Sequence, residues 1–267
     1  MTAFLKVEGL GNDFLLIDLR AHTGRLAELT ELQTRAPALC HRRTGVGGDG
    51  LLVLTPPTSP HARATMVVIN HDGSRPEMCG NGLRCVALVL ADGPGSFVVD
   101  TDAGPRLCTV AELADDRTAG ELEVDMGVAT IQGDRRIDPH TFTAVSVGNP
   151  HAVAFVDRLD DPERLARQYG PTAERDPQFP QRTNVEFARV EPDGGITLWV
   201  WERGCGITAA CGTGACATVA AAVHHGLVPA DTAIPVQLPG GRLTVRWHDD
   251  RVSMTGPARV VFRGTLA

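Results

Sequence analysis

Cys211-Gly212-Thr213-Gly214 is the stretch on which the chain turns, because a near copy, Cys79-Gly80-Asn81-Gly82, stands about half the chain earlier. Each tetrapeptide runs into a small, mostly apolar segment, Leu83 to Ala91 in one case and Ala215 to His225 in the other. That pattern predicts a buried helix beginning just after the first glycine. Both cysteines then sit at helix N-termini, where unpaired backbone N–H groups and the positive end of the helix dipole favour thiolate over thiol. The glycines let an anion approach the backbone, so a carboxylate gripped by two such ends would have a thiol on either side.

The duplication reaches beyond the cysteines. Asn70 stands nine residues before Cys79, as Glu202 stands nine before Cys211. Gly11-Asn12 opens the apolar run Phe14 to Ile17, and Gly148-Asn149 opens Ala152 to Val156. After each helix the sequence predicts a strand, a Gly-containing turn and another strand, through Asp102-Ala103-Gly104 and through Pro239-Gly240-Gly241. Val124-Asp125-Met126-Gly127 is echoed by Val252-Ser253-Met254-Thr255-Gly256. The expectation is two versions of one module, their cysteine helices facing a shared cleft, with a boundary near the polar joint Ala114 to Gly120.

With 267 residues, 43% of them hydrophobic, the chain can bury a core in each of two domains. A net charge of −7 argues against a phosphate-tracking surface and so against nucleic acid as a partner. The N-terminus has no basic region followed by an apolar signal core, and no apolar stretch approaches the roughly 20 residues that span a bilayer, so the expected place is the cytoplasm, without a membrane. Seven cysteines, an odd number without a secretion signal, do not read as a disulfide framework, and their spacings do not resemble a zinc finger or ribbon. No metal is expected. Lys6 is the only lysine, in a first strand, which leaves no obvious Schiff-base partner for pyridoxal phosphate, and no cofactor is expected.

Other features have a plain reading beside a functional one. Gly45-Val46-Gly47-Gly48-Asp49-Gly50 satisfies G-x-G-x-x-G, but a polar stretch precedes it and β-like Leu51 to Leu54 follows, so a loop is expected and not a dinucleotide site. A helix is expected within Leu26 to Cys40, another over Asp157 to Gln168, and a Pro-rich loop over Gly170 to Gln181. Asn12 in its turn bonds its own backbone or a ligand. Asn70 ends a strand and points toward the Cys79 loop. His151 caps a turn or tunes a thiol. Glu202-Arg203 is a surface ion pair worth little, or the edge of a site.

Together these residues resemble the diaminopimelate epimerases, amino-acid epimerases that work without a cofactor. The matches are Gly11-Asn12-Asp13-Phe14, Asn70 with Asp72-Gly73, Met78 to Cys85, Gly148-Asn149-Pro150-His151, Arg182-Thr183-Asn184-Val185, Glu202-Arg203-Gly204 and Ala210 to Ala215, in family order over nearly the whole chain. The resemblance implies an α/β (α+β) fold of two pseudo-symmetric domains, each a mixed, mostly antiparallel sheet curled around a central helix. Residues 1–118 would carry Cys79 and be completed by about 259–267; residues 119–258 would carry Cys211. It implies L,L- and meso-diaminopimelate as the small-molecule substrate, in lysine and cell-wall precursor synthesis, with Cys79 and Cys211 as the acid/base pair.

By the same resemblance, backbone N–H groups of Gly80, Asn81, Gly212 and Thr213 hold the reacting carboxylate. Asn12, Asn70, Asn149, Asn184, Glu202 and Arg203 take the remaining polar groups, and His151 and Glu202 adjust the thiols. Two departures stand out: some members carry a glutamine ligand where this chain has Gly50, and some carry a tyrosine in a homodimer contact where this chain has Phe262.

The chemistry agrees. Inverting a stereocentre by proton transfer needs a base on one face of the α-carbon and an acid on the other, which two weak acids supply. Proline racemase or hydroxyproline epimerase is the nearest alternative, disfavoured by Asn81 and Thr213 after the Cys-Gly pairs and by Arg203, whose fork suits a distal carboxylate. The paired Cys-Gly-x-Gly loops disfavour a phenazine-type isomerase. Outside enzymology the alternative is an amino-acid-binding protein whose cysteines are only core.

Overall fold

A computed structural model describes residues 2–22 and 25–266, without the side chains of residues 25 and 26. The chain separates into two compact units, one of Met1–Val124 with Gly256–Ala267, the other of Asp125–Thr255. The first unit contains β1 (Thr2–Gly9), β2 (Asn12–Asp18), α1 (Arg25–Leu39), β3 (Gly50–Thr55), β4 (Ala62–Asn70), α2 (Gly80–Leu90), β5 (Gly95–Thr101), β6 (Arg106–Leu113) and most of β7 (Ala119–Val128). In the second lie β8 (Thr130–Ile137), β9 (His140–Ser146), β10 (Pro150–Phe155), α3 (Pro162–Ala173), β11 (Asn184–Val190), β12 (Ile196–Glu202), β13 (Gly206–Ile207), α4 (Gly212–His224), β14 (Ile234–Leu238) and β15 (Gly241–His248). The last strand, β16 (Arg251–Leu266), begins there and ends in the first unit.

In the first unit the strands run β1-β2-β3-β4-β5-β6-β7, and β16 pairs with β1 at one end and neighbours β7 at the other, closing the sheet on itself. Parallel pairs are β2 with β3 and β4 with β5; β1–β2, β3–β4, β5–β6 and β6–β7 are antiparallel. Such a closed sheet needs a filling, and α2 provides it: all its residues but Val89 are buried, against β1, β2, β4 and β6. A helix this apolar from Cys85 to Leu90 is driven inside, and it takes Asn81 and Arg84 with it. On the outer face of β3 and β4, α1 sets Leu32, Ala36 and Leu39 against Leu51, Val53, Val67 and Ile69. With helices on both faces, Leu51 to Leu54 are buried without alternation.

The second unit repeats the plan in the order β16-β15-β14-β12-β11-β10-β9-β8, with β13 on β12. Its parallel pairs are β10 with β11 and β12 with β14. The buried helix is α4, whose Ala215, Ala217 and Ala220 to Ala222 let it sit close to β9, β10, β11 and β15. Outside, α3 packs on β11 and β12 through Leu165, Ala166 and Ala173 against Phe142 and Phe187.

The α3 helix departs from the sequence expectation. It starts at Pro162 with Asp161 as N-cap, accepting the Glu163 N–H at 3.0 Å, and continues through Gly170 and Pro171, which were expected in a loop. Gly170 is tolerated because of packing: a Cβ there would lie 2.5 Å from Trp201 Cβ. We expect Gly170→Ala to lower stability by about 1–3 kcal/mol, because overpacking outweighs alanine's better helix propensity. Chemical denaturation is the check, and an unchanged or raised midpoint would contradict the tight contact. The first expectation for the cysteines is met: α2 and α4 begin at Gly80 and Gly212, so Cys79 and Cys211 are their extended N-caps.

Candidate active site

Around Cys79 the helix end and the turn between β1 and β2 meet. The Gly82 N–H donates to Cys79 Sγ at 3.4 Å, and the thiol faces Asn12 Oδ1 at 3.9 Å. That same oxygen accepts from Asn81 Nδ2 at 3.2 Å. The Asn12 amide is held this way round by Asp49, whose Oδ2 accepts from Asn12 Nδ2 at 2.6 Å and from the Asp13 N–H at 3.0 Å. Arg42 then bridges Asp13 at 2.7 Å and Asp49 at 2.6 Å. Burial pushes the Asp13 carboxyl up, but hydrogen bonds and charge from Arg42 and Lys6 outweigh it and hold the group below its usual range. Lys6, buried in β1, pairs with Asp13 at 2.5 Å and bonds the Gly47 carbonyl.

Asp49 and Arg42 were not singled out from the sequence. Asp49 lies inside the glycine-rich loop, which is indeed a loop leading into β3. Nothing in its spacing marks it as the residue that orients Asn12. Gly50 beside it is packed on β4: a Cβ there would lie 2.5 Å from the Ile69 carbonyl oxygen, so no side chain fits without moving that strand. Asn70 is placed differently from expectation, its Nδ2 donating to Ser74 Oγ at 2.9 Å within its own turn and not to the Cys79 loop.

Around Cys211 the same helix-end bond recurs, Gly214 N–H to Sγ at 3.4 Å, with Thr213 Oγ1 at 3.6 Å from the sulfur. Asn149 Nδ2 donates to Thr213 Oγ1 at 3.3 Å, and Asn149 Oδ1 meets His151 Nε2 at 2.9 Å. The other ring nitrogen of His151 meets Glu186 Oε1 at 2.7 Å, both side chains being fully buried. His151 therefore neither caps a turn nor touches the sulfur; it reaches it through Asn149 and Thr213. Glu202 bonds the Thr208 hydroxyl and adjoins Cys211. It does not pair with Arg203, whose guanidinium donates to the Gln181 carbonyl at 3.1 Å. Asn184 ties the edge together, its Nδ2 donating to the Pro150 carbonyl at 3.0 Å and its Oδ1 accepting the Arg203 N–H at 2.9 Å.

Opposing effects meet at Cys211. A helix N-terminus favours thiolate, yet burial, then the charges of Glu202 and Glu186, raise the Cys211 thiol well above its ordinary value, against smaller help from Thr213 and the Gly214 N–H. The Glu202 carboxyl is also raised, first by burial, with Thr208 opposing. Because a neighbouring negative charge disfavours thiolate, Glu202→Gln should lower the Cys211 pKa and increase the thiolate fraction at any fixed pH. The expected result is faster iodoacetamide labelling of Cys211 at pH 8, read by peptide mass spectrometry, with the labelling midpoint moved down in pH. A midpoint that stays or rises would contradict the assigned cause.

A sheet curled around a buried helix, present twice, is a fold this chain shares with solved structures described as a probable proline racemase and a hydroxyproline epimerase. A solved structure described as a probable proline racemase from Agrobacterium radiobacter, with bound carbonate, superposes with a TM-score of 0.75 over 100% of this chain and 93% of that one, at 17% identity, a likeness of fold alone. The sequence narrows the class further. A model of the diaminopimelate epimerase family matches residues 4–132 and 143–261, and the chain belongs to that family. A protein named diaminopimelate epimerase from Desulfitobacterium hafniense is 45% identical over 286 residues, covering 98% of this chain and 97% of the relative. One of the same name from Synechocystis is 42% identical over 287 residues, covering 98% of each.

Proposed function

We propose that this chain interconverts L,L- and meso-2,6-diaminopimelate, serving lysine and cell-wall precursor synthesis, with Cys79 and Cys211 as the acid/base pair. The observation that carries the reading is the repeated helix end: two thiols, each the N-cap of a buried helix and each bonded by the N–H three residues on, in a chain of this family. One thiolate removes the α-proton while the other thiol delivers a proton to the opposite face, and the roles exchange in reverse. The α-hydrogen is a very weak acid, so the carboxylate beside it must be stabilised as charge builds. The first N–H groups of a helix have no intrahelical acceptor, and those of Gly80, Asn81, Gly212 and Thr213 are suited to that task.

Asn12, Asn149, Asn184, Glu202 and Arg203 supply hydrogen bonds and charge for the substrate's remaining ammonium and carboxylate groups. Asn70 joins them once its amide leaves Ser74. His151 and Glu202 set the thiol's proton affinity, His151 through intermediaries. Among the described residues no helix is long and apolar enough to cross a membrane. We place the protein in the cytoplasm, where free thiols stay reduced, as a homodimer through the face of β16 that exposes Val261 and Phe262. Assaying L,L-diaminopimelate and L-proline side by side tests the substrate: meso product from the first alone is expected, and racemised proline without diaminopimelate turnover would overturn the reading.

A further inference from the structure

Glu186 lies on β11 with Val185 and Phe187 on either side, and its side chain enters a fully buried space beneath α4. Its Oε1 sits so close under the helix that a Cβ on Gly214 would be 3.0 Å from it, and its Oε2 has no hydrogen-bond partner, although the Ala152 backbone N–H lies near enough to favour the carboxylate. An ionised carboxylate with one bare oxygen is costly at such a site. From Oε1 an unbroken chain runs to a thiol: His151 Nδ1 at 2.7 Å, then His151 Nε2 to Asn149 Oδ1 at 2.9 Å, Asn149 Nδ2 to Thr213 Oγ1 at 3.3 Å, and Thr213 Oγ1 to Cys211 Sγ at 3.6 Å.

The direction of the chain fixes its proton count. An amide oxygen only accepts, so His151 Nε2 must carry a hydrogen to face Asn149 Oδ1. Nδ1 then either receives a hydrogen from a protonated Glu186 or donates its own to a carboxylate. In both forms the Glu186–His151 pair holds two protons. With only one, on Nδ1, the bare Nε2 would turn the Asn149 amide over. Its oxygen would then face Thr213 and capture the hydroxyl hydrogen.

We propose that Glu186 is a positioning residue that keeps this pair doubly protonated, holds the Asn149 amide N–H toward Thr213, and so frees the Thr213 hydroxyl hydrogen to bond the Cys211 thiolate. The inference deepens, and rests on, the reading of Cys211 as an acid/base group. Burial raises the Glu186 carboxyl, consistent with a retained proton, and a pair holding two protons is neutral in either form, so the Glu186 charge that would otherwise raise the Cys211 thiol is cancelled. The other titratable groups facing the chain are Glu202 at the end of β12 and Cys211 itself. The Cys79 half has the opposite polarity: there Asp49 takes the Asn12 amide nitrogen, and an oxygen faces the sulfur. The hydrogen bonds of the two halves thus point differently: an amide oxygen faces Cys79 Sγ, whereas a hydroxyl able to donate faces Cys211 Sγ.

The test has two arms. Nitrogen-15 NMR of the histidine-labelled chain, with His151 assigned by its loss in His151→Gln, is expected to show a protonated Nε2 at neutral pH; a bare Nε2 would overturn the proposal whatever the activity. In kinetics, Glu186→Leu should lower kcat by roughly tenfold or more with little change in KM, and move the acidic limb of the kcat profile to higher pH. Glu186→Gln, whose amide N–H can donate to Nδ1 as a protonated carboxyl does, should come back to within about threefold of the parent. An unmoved profile in the leucine variant, or a glutamine variant as poor as leucine, would overturn it. Full activity in Cys211→Ser would instead sink the underlying thiol reading, so the two failures are separable.

Discussion

Cys211→Ser is expected to fold like the parent and to lose about two to four orders of magnitude in turnover, the usual contribution of a positioned acid/base group. Serine keeps the N-cap, because its hydroxyl accepts the Gly214 N–H as the sulfur does at 3.4 Å, and serine is among the better capping residues. What it lacks is an accessible anion. A thiol raised by burial and by Glu202 and Glu186 still ionises far more readily than a hydroxyl. Cys79→Ser should behave alike, since the Gly82 bond is equally compatible with oxygen. Melting curves and steady-state assays on both variants check this. Near-parental turnover in either would show that its sulfur is only core.

The second large effect is on stability. His151→Leu preserves volume but leaves Glu186 at full burial without the group that pulls its carboxyl back toward ionisation. Removing one partner of a buried pair costs about 3–5 kcal/mol. The pH dependence has a definite sign. A carboxyl whose folded-state pKa lies above its value of 4.5 in the unfolded chain contributes its stability below that value and loses it as pH rises through the folded pKa. The Tm deficit of His151→Leu against the parent should therefore be smallest near pH 4.5 and widen toward pH 8. Adding Glu186→Leu should restore much of the loss, since an apolar pair needs no proton. A deficit independent of pH, or no recovery in the double variant, would contradict a buried carboxylate as its cause.

The helices that carry the thiols were legible because Cys-Gly-x-Gly followed by a mostly apolar run, broken only by Arg84 in one copy and Thr218 in the other before its end, points to a buried helix with cysteine at its cap. The α3 helix was misplaced although its start is written plainly: Asp161-Pro162 is an N-cap followed by proline at the first helical position. Gly170-Pro171 suggested a loop, and only the contact with Trp201 explains a glycine there. Asn12, Asn70 and Asn149 stand out through the repeat, and Asn184 and His151 through the family resemblance, but the partners of these side chains do not. Asp49 is one acidic residue in a glycine-rich loop, and its bond to Asn12 spans 37 residues of sequence. Glu186 alternates with Val185 and Phe187, so period-two reasoning places it on the opposite, exposed face. That face is covered by α4, and no local pattern reveals a helix arriving from elsewhere in the chain.

The central claim is that one thiol from each half serves a single proton-transfer reaction. The most direct measurement is incubation of L,L-diaminopimelate in deuterium oxide with the parent chain, Cys79→Ser and Cys211→Ser, followed by mass analysis of the meso product. The expected result is meso product carrying one solvent deuterium at the inverted carbon from the parent, and none formed at a comparable rate by either variant. Deuterated meso product appearing at the parental rate from either serine variant would contradict it.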